Sequence, residues 1–421
     1  MFQLLIFRSI FFQFYTGLFI VGLSIANCQA QSLDSLLKKA YANNPELKAL
    51  QLEYEAALQQ GPQVSQLPDP TVGVGIPILP VETRLGSQNL LISANQMFPW
   101  FGTLKAKEDV VLTMAKSKYE RVAVERLNID YQIKTAYYNL YLLQAKQHIF
   151  RKNIRIFETL EKVALAKVES GKSLAADVLT VRIKIEELNQ QIQTLEEQKL
   201  TYTAIINEAV NDPLNSAIQI DTTQITRAEI EYNIEQFREN IQANHPLIKQ
   251  LDWNIETSSK ALALNALNGK PSFGVGLDYS LVNSRTDAFP VNNGRDILIP
   301  KVMVSIPIYR KKYAAKKEEE NLKQQSFKLQ KESLTNRMIS SIQGYKSEYE
   351  SAKLMLELAH KQIEISNGAY DILLAEYSSK GRRFDELMKL QSDINRYEIE
   401  IIKSIVQSHL AKFKIDRLTN F

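Results

Sequence analysis

Cysteine is all but absent: Cys28 is the only one among 421 residues. It sits at the end of an N-terminal segment with Arg8 as its only early charge and an apolar run from Ile10 to Ile25, followed by Cys28-Gln29-Ala30. That order reads as a secretory signal over 1–30, cleaved after Ala30. Acylation at Cys28 is the second reading, because Ile25-Ala26-Asn27-Cys28 approximates a lipobox with Asn27 where a small residue is expected. A retained transmembrane anchor is the third. Cleavage after Ala30 leaves a chain without a thiol, which excludes disulfides and thiolate metal sites. Histidine is nearly as scarce: His148, His245, His360 and His409 are scattered without metal-ligand spacing. No further run of about 18 apolar residues follows the first segment, so a membrane crossing would have to be made by strands. Charge of one sign is also missing. With 51 basic and 47 acidic residues, a net +4, there is no basic face for nucleic acid.

Proline is present but confined. The thirteen prolines fall between 45 and 99 and between 213 and 307, leaving 100–212 and 308–421 free of it. Stretches that long without proline permit helices of unusual length. Glycine agrees: between Thr103 and Asp212 the only glycine is Gly171, and the second stretch holds only Gly344, Gly368 and Gly381.

What these stretches do contain is a seven-residue apolar repeat, the mark of helices wound on one another. Val122, Ile129, Ala136, Leu143, Phe150, Phe157 and Ala164 form one series, and Val178, Ile185, Ile192 and Ile206 begin a new register past Gly171. Tyr345, Ala352, Ala359 and Leu373 repeat the arrangement until Gly381, beyond which Leu387, Ile394, Ile401 and Ile415 resume it. Each register break at an isolated glycine reads as a hairpin tip. Arms of roughly 60 residues would be about 90 Å long.

The proline-bearing stretches carry a duplication. Ala42-Asn43-Asn44-Pro45-Glu46-Leu47 recurs as Ala243-Asn244-His245-Pro246-Leu247-Ile248, and Pro70-Thr71-Val72-Gly73-Val74-Gly75-Ile76 recurs as Pro271-Ser272-Phe273-Gly274-Val275-Gly276-Leu277, both at an offset of 201. Two halves follow, 31–220 and 221–421, each reading helix, strand, loop, strand, long helical hairpin. Val72, Val74 and Ile76, like Phe273, Val275, Leu277 and Tyr279, alternate with small or polar residues. Returning strands are predicted at Asn89–Phe98 and Ile297–Ile308. The fold class is therefore mainly α with a small β part: four membrane strands and two long coiled-coil hairpins. Four strands cannot close a membrane barrel, for which about eight is the smallest number. Three chains would pool twelve.

No nucleophile elbow, zinc-protease helix or phosphate loop is present, and Gly73-x-Gly75 and Gly274-x-Gly276 lack the third glycine of a dinucleotide fingerprint. The expectation is a non-enzyme with no cofactor. A periplasmic adaptor would have one long hairpin rather than two, and a coiled-coil scaffold would need no strands.

In this order and doubling the chain resembles the TolC family of outer-membrane efflux proteins over essentially its whole mature length. The resemblance is carried by the helices at Pro45 and Pro246, the Gly-x-Gly strands, the junctions Phe98-Pro99-Trp100-Phe101-Gly102 and Ile306-Pro307-Ile308-Tyr309, and the tips Gly171 to Leu179 and Gly381 to Met388. It implies a homotrimer in outer-membrane lipid, with a twelve-stranded barrel, a twelve-helix periplasmic tunnel, and a periplasmic adaptor and inner-membrane pump as partners. It implies adaptor contacts at the tips, Gly171, Lys172, Ser173, Leu174, Gly381, Arg382, Arg383 and Phe384. An apolar Phe384 at a turn reads either as an exposed anchor for a partner or, with Leu174, as a cap on its own hairpin. It also implies a pore constriction beside the second tip. Where the family often reads Asp-Val-Leu-Asp, this chain has Glu386-Leu387-Met388-Lys389, and its first tip has Asp177-Val178-Leu179-Thr180. The expected constriction is a ring of Glu386 with Lys389 close by and Asp177 as the remaining acid. The Phe98–Gly102 junction looks similar to that of the family's heavy-metal-efflux branch, which makes metal ions one candidate cargo beside drugs and proteins.

Overall fold

The computed structural model describes residues 32–79, 81–220 and 225–420. The signal segment, with Cys28, lies outside them. In chain order the elements are α1 (Leu33–Asn43), α2 (Pro45–Leu58), α3 (Gln60–Val64), β1 (Thr71–Gly75), β2 (Val81–Thr83), β3 (Gly86–Phe98), α4 (Thr103–Glu169), α5 (Ala175–Val210), α6 (Ile234–Asn244), α7 (Pro246–Asn268), β4 (Ser272–Val282), β5 (Ile297–Ser305), α8 (Lys311–Lys380) and α9 (Phe384–Thr419). Each proline-free stretch is a hairpin of one long and one shorter helix: the 67 residues of α4 and the 70 of α8, about 100 Å each, are followed by the 36 residues of α5 and of α9.

Two compact units divide the chain. The first comprises the segment ending at Asn44, Ile129–Glu229 and Glu348–Phe413; the second comprises Pro45–Asn128, Ile230–Ser347 and the segment starting at Lys414. In the first unit the heptad positions form the core. Leu143, Phe150, Phe157 and Ala164 pack with Val178, Val181, Leu188, Leu195, Leu373, Tyr377 and Leu387. In the second unit Ile241 and Ile248 pack with Met338 and Ile342.

Where each half bends before its strands, the residue preceding proline makes the bend, since proline disfavours helical geometry at its neighbour. Asn44 ends α1 with its N–H donating to Ala40 O at 2.8 Å, and its side chain donates to Ala209 O at 3.0 Å. His245 ends α6 in the same way and then caps α7, its Nδ1 accepting from Leu247 N at 3.1 Å.

The strands form one antiparallel sheet in the order β1-β3-β4-β5, with β2 paired to β3. The short β2 is an addition to the four expected strands; three residues beside a proline carry too little periodicity to be seen. β5 ends at Ser305 rather than at the expected Ile308, because Pro307 lacks an N–H and constrains Ile306 before it.

Register sorts the two faces. Val72, Ala94, Leu277 and Pro300 share a row, as do Val74, Ile92, Tyr279 and Leu298, and then Phe98, Phe273 and Val304. This face is apolar and bare: Val72 is 70% exposed and Val302 79%. Its one amide, Gln96, donates to Pro68 O at 2.8 Å. The opposite face is mixed: Asn95, Gly276 and Lys301 share one row, Gly73, Ser93, Asp278 and Ile299 the next, and Gly75, Leu91, Ser280 and Ile297 the one beyond. Lys301 pairs with Asp278 at 2.6 Å. Gly276 is needed there, since a Cβ would lie 2.8 Å from Lys301 Cε and inside the Asn95 amide oxygen. β1 and β5 are the two sheet edges. Among the described residues no helix is long and apolar enough to cross a membrane.

Candidate functional site: the paired hairpin tips

Both hairpins turn within the first unit, and their turns touch. The first turn closes α4 by local hydrogen bonding. Gly171 N donates to Val168 O at 3.0 Å and Lys172 N to Lys167 O at 2.8 Å, with Gly171 at φ +68°. That pairing satisfies two carbonyls that the helix end would otherwise leave open. α5 then starts after Leu174, with Asp177 in its first turn, where a negative charge complements the helix dipole.

The second turn uses two left-handed residues, Gly381 at φ +67° and Arg383 at φ +66°. For a non-glycine residue this conformation costs about 1 kcal/mol. Arg383 is held in it from both sides: Nε donates to Glu386 Oε1 at 2.9 Å and Nη1 lies 3.4 Å from Glu376 Oε2. The guanidinium keeps the Glu386 carboxyl below the usual carboxylate range, and Glu386 in turn raises the Arg383 pKa.

The turns meet at a buried tyrosine. Tyr377 is completely buried, with its ring 4.9 Å from that of Phe384. Its hydroxyl lies 3.3 Å from Ser173 Oγ and 3.5 Å from Asp177 Oδ2. Ser173 Oγ also donates to Asp177, and Lys167 Nζ to Ser378 O. Burial pushes the Tyr377 pKa up, so the hydroxyl stays protonated as a donor. Gly381 fits directly against the carbonyl of Lys172, where a Cβ would lie 3.2 Å from the carbonyl carbon and overlap its oxygen.

The expected site residues therefore divide. Ser173, Asp177, Gly381 and Arg383 hold the turns together. Gly171, Lys172, Leu174 and Arg382 lie on the outside, Leu174 with 71% of its surface exposed. Of the two readings of Phe384, the exposed anchor is corrected and the hairpin cap stands: it is 5% exposed and belongs to the core, packing on Tyr377. An apolar residue at the first position of an amphipathic helix turns inward when a neighbouring helix offers a pocket, which turn composition alone does not reveal. Glu386 is exposed and ion-paired with Arg383. Lys172, Arg382 and Lys389 are all exposed, and among the described residues none of them forms an ion pair. The sequence does not mark Tyr377 and Glu376 as site residues: Tyr377 falls at a heptad core position, and its second role is visible only once Ser173 is placed beside it.

No family model matches the sequence, and no curated protein matches it. Solved structures do. The outer-membrane channel OprN shares 13% identity over 92% of this chain and 89% of its own, with a TM-score of 0.73. CusC, solved for its folding and transmembrane channel formation, shares 13% over 93% and 92%, with a TM-score of 0.73. The outer-membrane protein VceC from Vibrio cholerae shares 12% over 92% and 95%, with a TM-score of 0.70. At such identities the likeness is one of fold, and that fold is the one the sequence resemblance implied.

Proposed function

We propose that this chain, with the fold of the TolC-family outer-membrane channels, is one protomer of a homotrimeric exit duct in the outer membrane. It would receive cargo from an inner-membrane pump through a periplasmic adaptor and conduct it passively outward. The observation that carries this reading is the sheet: one face is apolar but for Gln96, the other holds glycines, serines and the Lys301–Asp278 pair among a few apolar residues, and it is open at β1 and β5. An isolated chain would leave both edges and the bare apolar face in water. Closing the four strands β1, β3, β4 and β5 of each chain into a barrel of twelve, inside lipid, removes both problems. A second support lies on α8, where Leu358, Ile365 and Ile372 repeat every seven residues on the surface, Ile365 with 73% exposure. A heptad stripe that its own chain leaves open calls for a helix from another copy.

Within that duct the exposed Lys172, Leu174 and Arg382 are assigned to the adaptor, whose matching surface would be acidic. The constriction is assigned to Asp177, Glu386 and Lys389, with Arg383 neutralising Glu386. Cargo choice is left to the pump, and the Phe98–Gly102 junction makes metal-ion sensitivity of a deletion strain the first phenotype to measure.

The test is accessibility of single cysteines in intact outer membranes. A charged maleimide should label Ser93→Cys and Lys301→Cys, on the polar face, and spare Val275→Cys and Val302→Cys. Equal labelling of all four would mean a water-exposed sheet and would end the barrel assignment.

A further inference from the structure

The apolar face of the sheet continues past its last row. Phe98, Phe273 and Val304 form that row, and Trp100 stacks on Phe273 with ring centres 5.9 Å apart. Phe101 and Tyr309 follow with 82% and 77% of their surface exposed. Around these rings stand four exposed cations, Lys270, Arg310, Lys311 and Lys312. Lys270 Nζ lies 5.2 Å from the Trp100 ring centre, and Arg310 Nη1 donates to Gly269 O at 2.8 Å, joining the approach to β4 with the exit from β5.

Among the described residues none of the four cations forms an ion pair, and the sequence has no acidic residue from Ile297 to Lys317. One turn further along α8 the pattern reverses. Lys316 and Lys323 are both matched by Glu320, at 2.8 and 3.1 Å. Four unmatched cations thus stand together at the ring of aromatic side chains where strands become helices.

We propose that this collar binds the headgroups of anionic phospholipids in the membrane leaflet that faces the long helices. The inference rests on the membrane reading above and adds a lipid class, a leaflet and the residues that read it. Aromatic side chains with one apolar and one polar end settle at the depth of the lipid carbonyls, and cations just beyond them stand level with the phosphates. A zwitterionic surface would accept the rings but leave four cations without a net counter-charge. A soluble acidic protein could match the cations but not the apolar band continuous with them. Each lysine or arginine near an anionic surface strengthens binding roughly fivefold, so three together amount to about a hundredfold before screening by salt.

The test uses the full mature protein, purified in an uncharged detergent, and a variant carrying Arg310→Gln, Lys311→Gln and Lys312→Gln. Lipid retained by each would be counted by native mass spectrometry after equilibration with equal phosphatidylglycerol and phosphatidylcholine. The wild type should retain phosphatidylglycerol at least about tenfold over phosphatidylcholine, and the variant should lose most of that preference while keeping its assembly and thermal stability in detergent alone. Equal preference in both proteins would overturn the proposal. So would a variant that dissociates in detergent without lipid, since the cations would then belong to a protein contact. A wild type that binds neither lipid and stays in solution without detergent would refute the membrane reading itself.

Discussion

Gly381→Ala is expected to part the two hairpin tips, shifting the balance from apposed to separated tips by about a hundredfold. Two costs combine. At φ +67° an alanine is disfavoured by roughly 1 kcal/mol, and its Cβ would overlap the Lys172 carbonyl of the other tip. The carbonyl is backbone in a turn closed by its own hydrogen bonds, so it cannot move aside as a flexible side chain would. Relief comes from moving the tips apart, at a total cost on the order of 3 kcal/mol. The measurement is the spin-label distance between Lys172→Cys and Arg382→Cys, together with single-channel conductance. The control is Gly171→Ala. Gly171 also has positive φ, +68°, but a Cβ there meets nothing within 4 Å. That variant should weaken its own turn by about 1 kcal/mol and leave the distance unchanged. If the two variants behave alike, the tips are not held by the contact between them.

The second large effect concerns acid. His245 is 3% exposed and caps α7 with a neutral Nδ1; burial, with the Arg417 charge adding in the same direction, lowers its pKa to about 4. In the unfolded chain histidine titrates near 6.5. Between those values the unfolded chain binds a proton that the folded one refuses. The stabilising contribution is therefore complete above about pH 6.5 and is lost as the pH falls toward 4, by on the order of 3 kcal/mol. The other half of the chain supplies the control. At the matching position Asn44 precedes Pro45, and asparagine caps helices without titrating in this range. His245→Asn should leave hydrogen-exchange protection of the Leu247 and Ile248 amides within about 1 kcal/mol of wild type at pH 7.5 and markedly improve it at pH 4. A wild-type protection that does not change between those pH values would show that His245 carries no such linkage.

Much of this arrangement is legible in the sequence because it is periodic or punctuated. The series from Val122 to Ala164 is buried at every member, since a seven-residue period leaves a helix only one face to bury. Gly171 and Gly381 mark both turns because each sits at a left-handed position that few other residues adopt. The Gly-x-Gly strands and the bends at Pro45 and Pro246 follow from local backbone chemistry.

What stayed hidden depends on which helix lies beside which. Arg383 adopts a left-handed conformation that nothing about arginine predicts, and it is held there by Glu376 and Glu386 on two helices. Phe384 at its turn reads as either anchor or cap, and only the placing of Tyr377 over it decides for the cap. The hydroxyl of Tyr377 reaches Ser173, 204 residues away, a contact set by hairpin pairing and invisible to any local pattern. The constriction residues share this limit: the motif marks Glu386 by its place, whereas its charge is governed by a neighbour three residues earlier.

The central claim is that this sheet closes only with copies of itself in a membrane. Native mass spectrometry of the mature chain, extracted from outer membranes, addresses it most directly. The account predicts a particle of three chains, released only by detergent; a monomer or dimer recovered in aqueous buffer would contradict it.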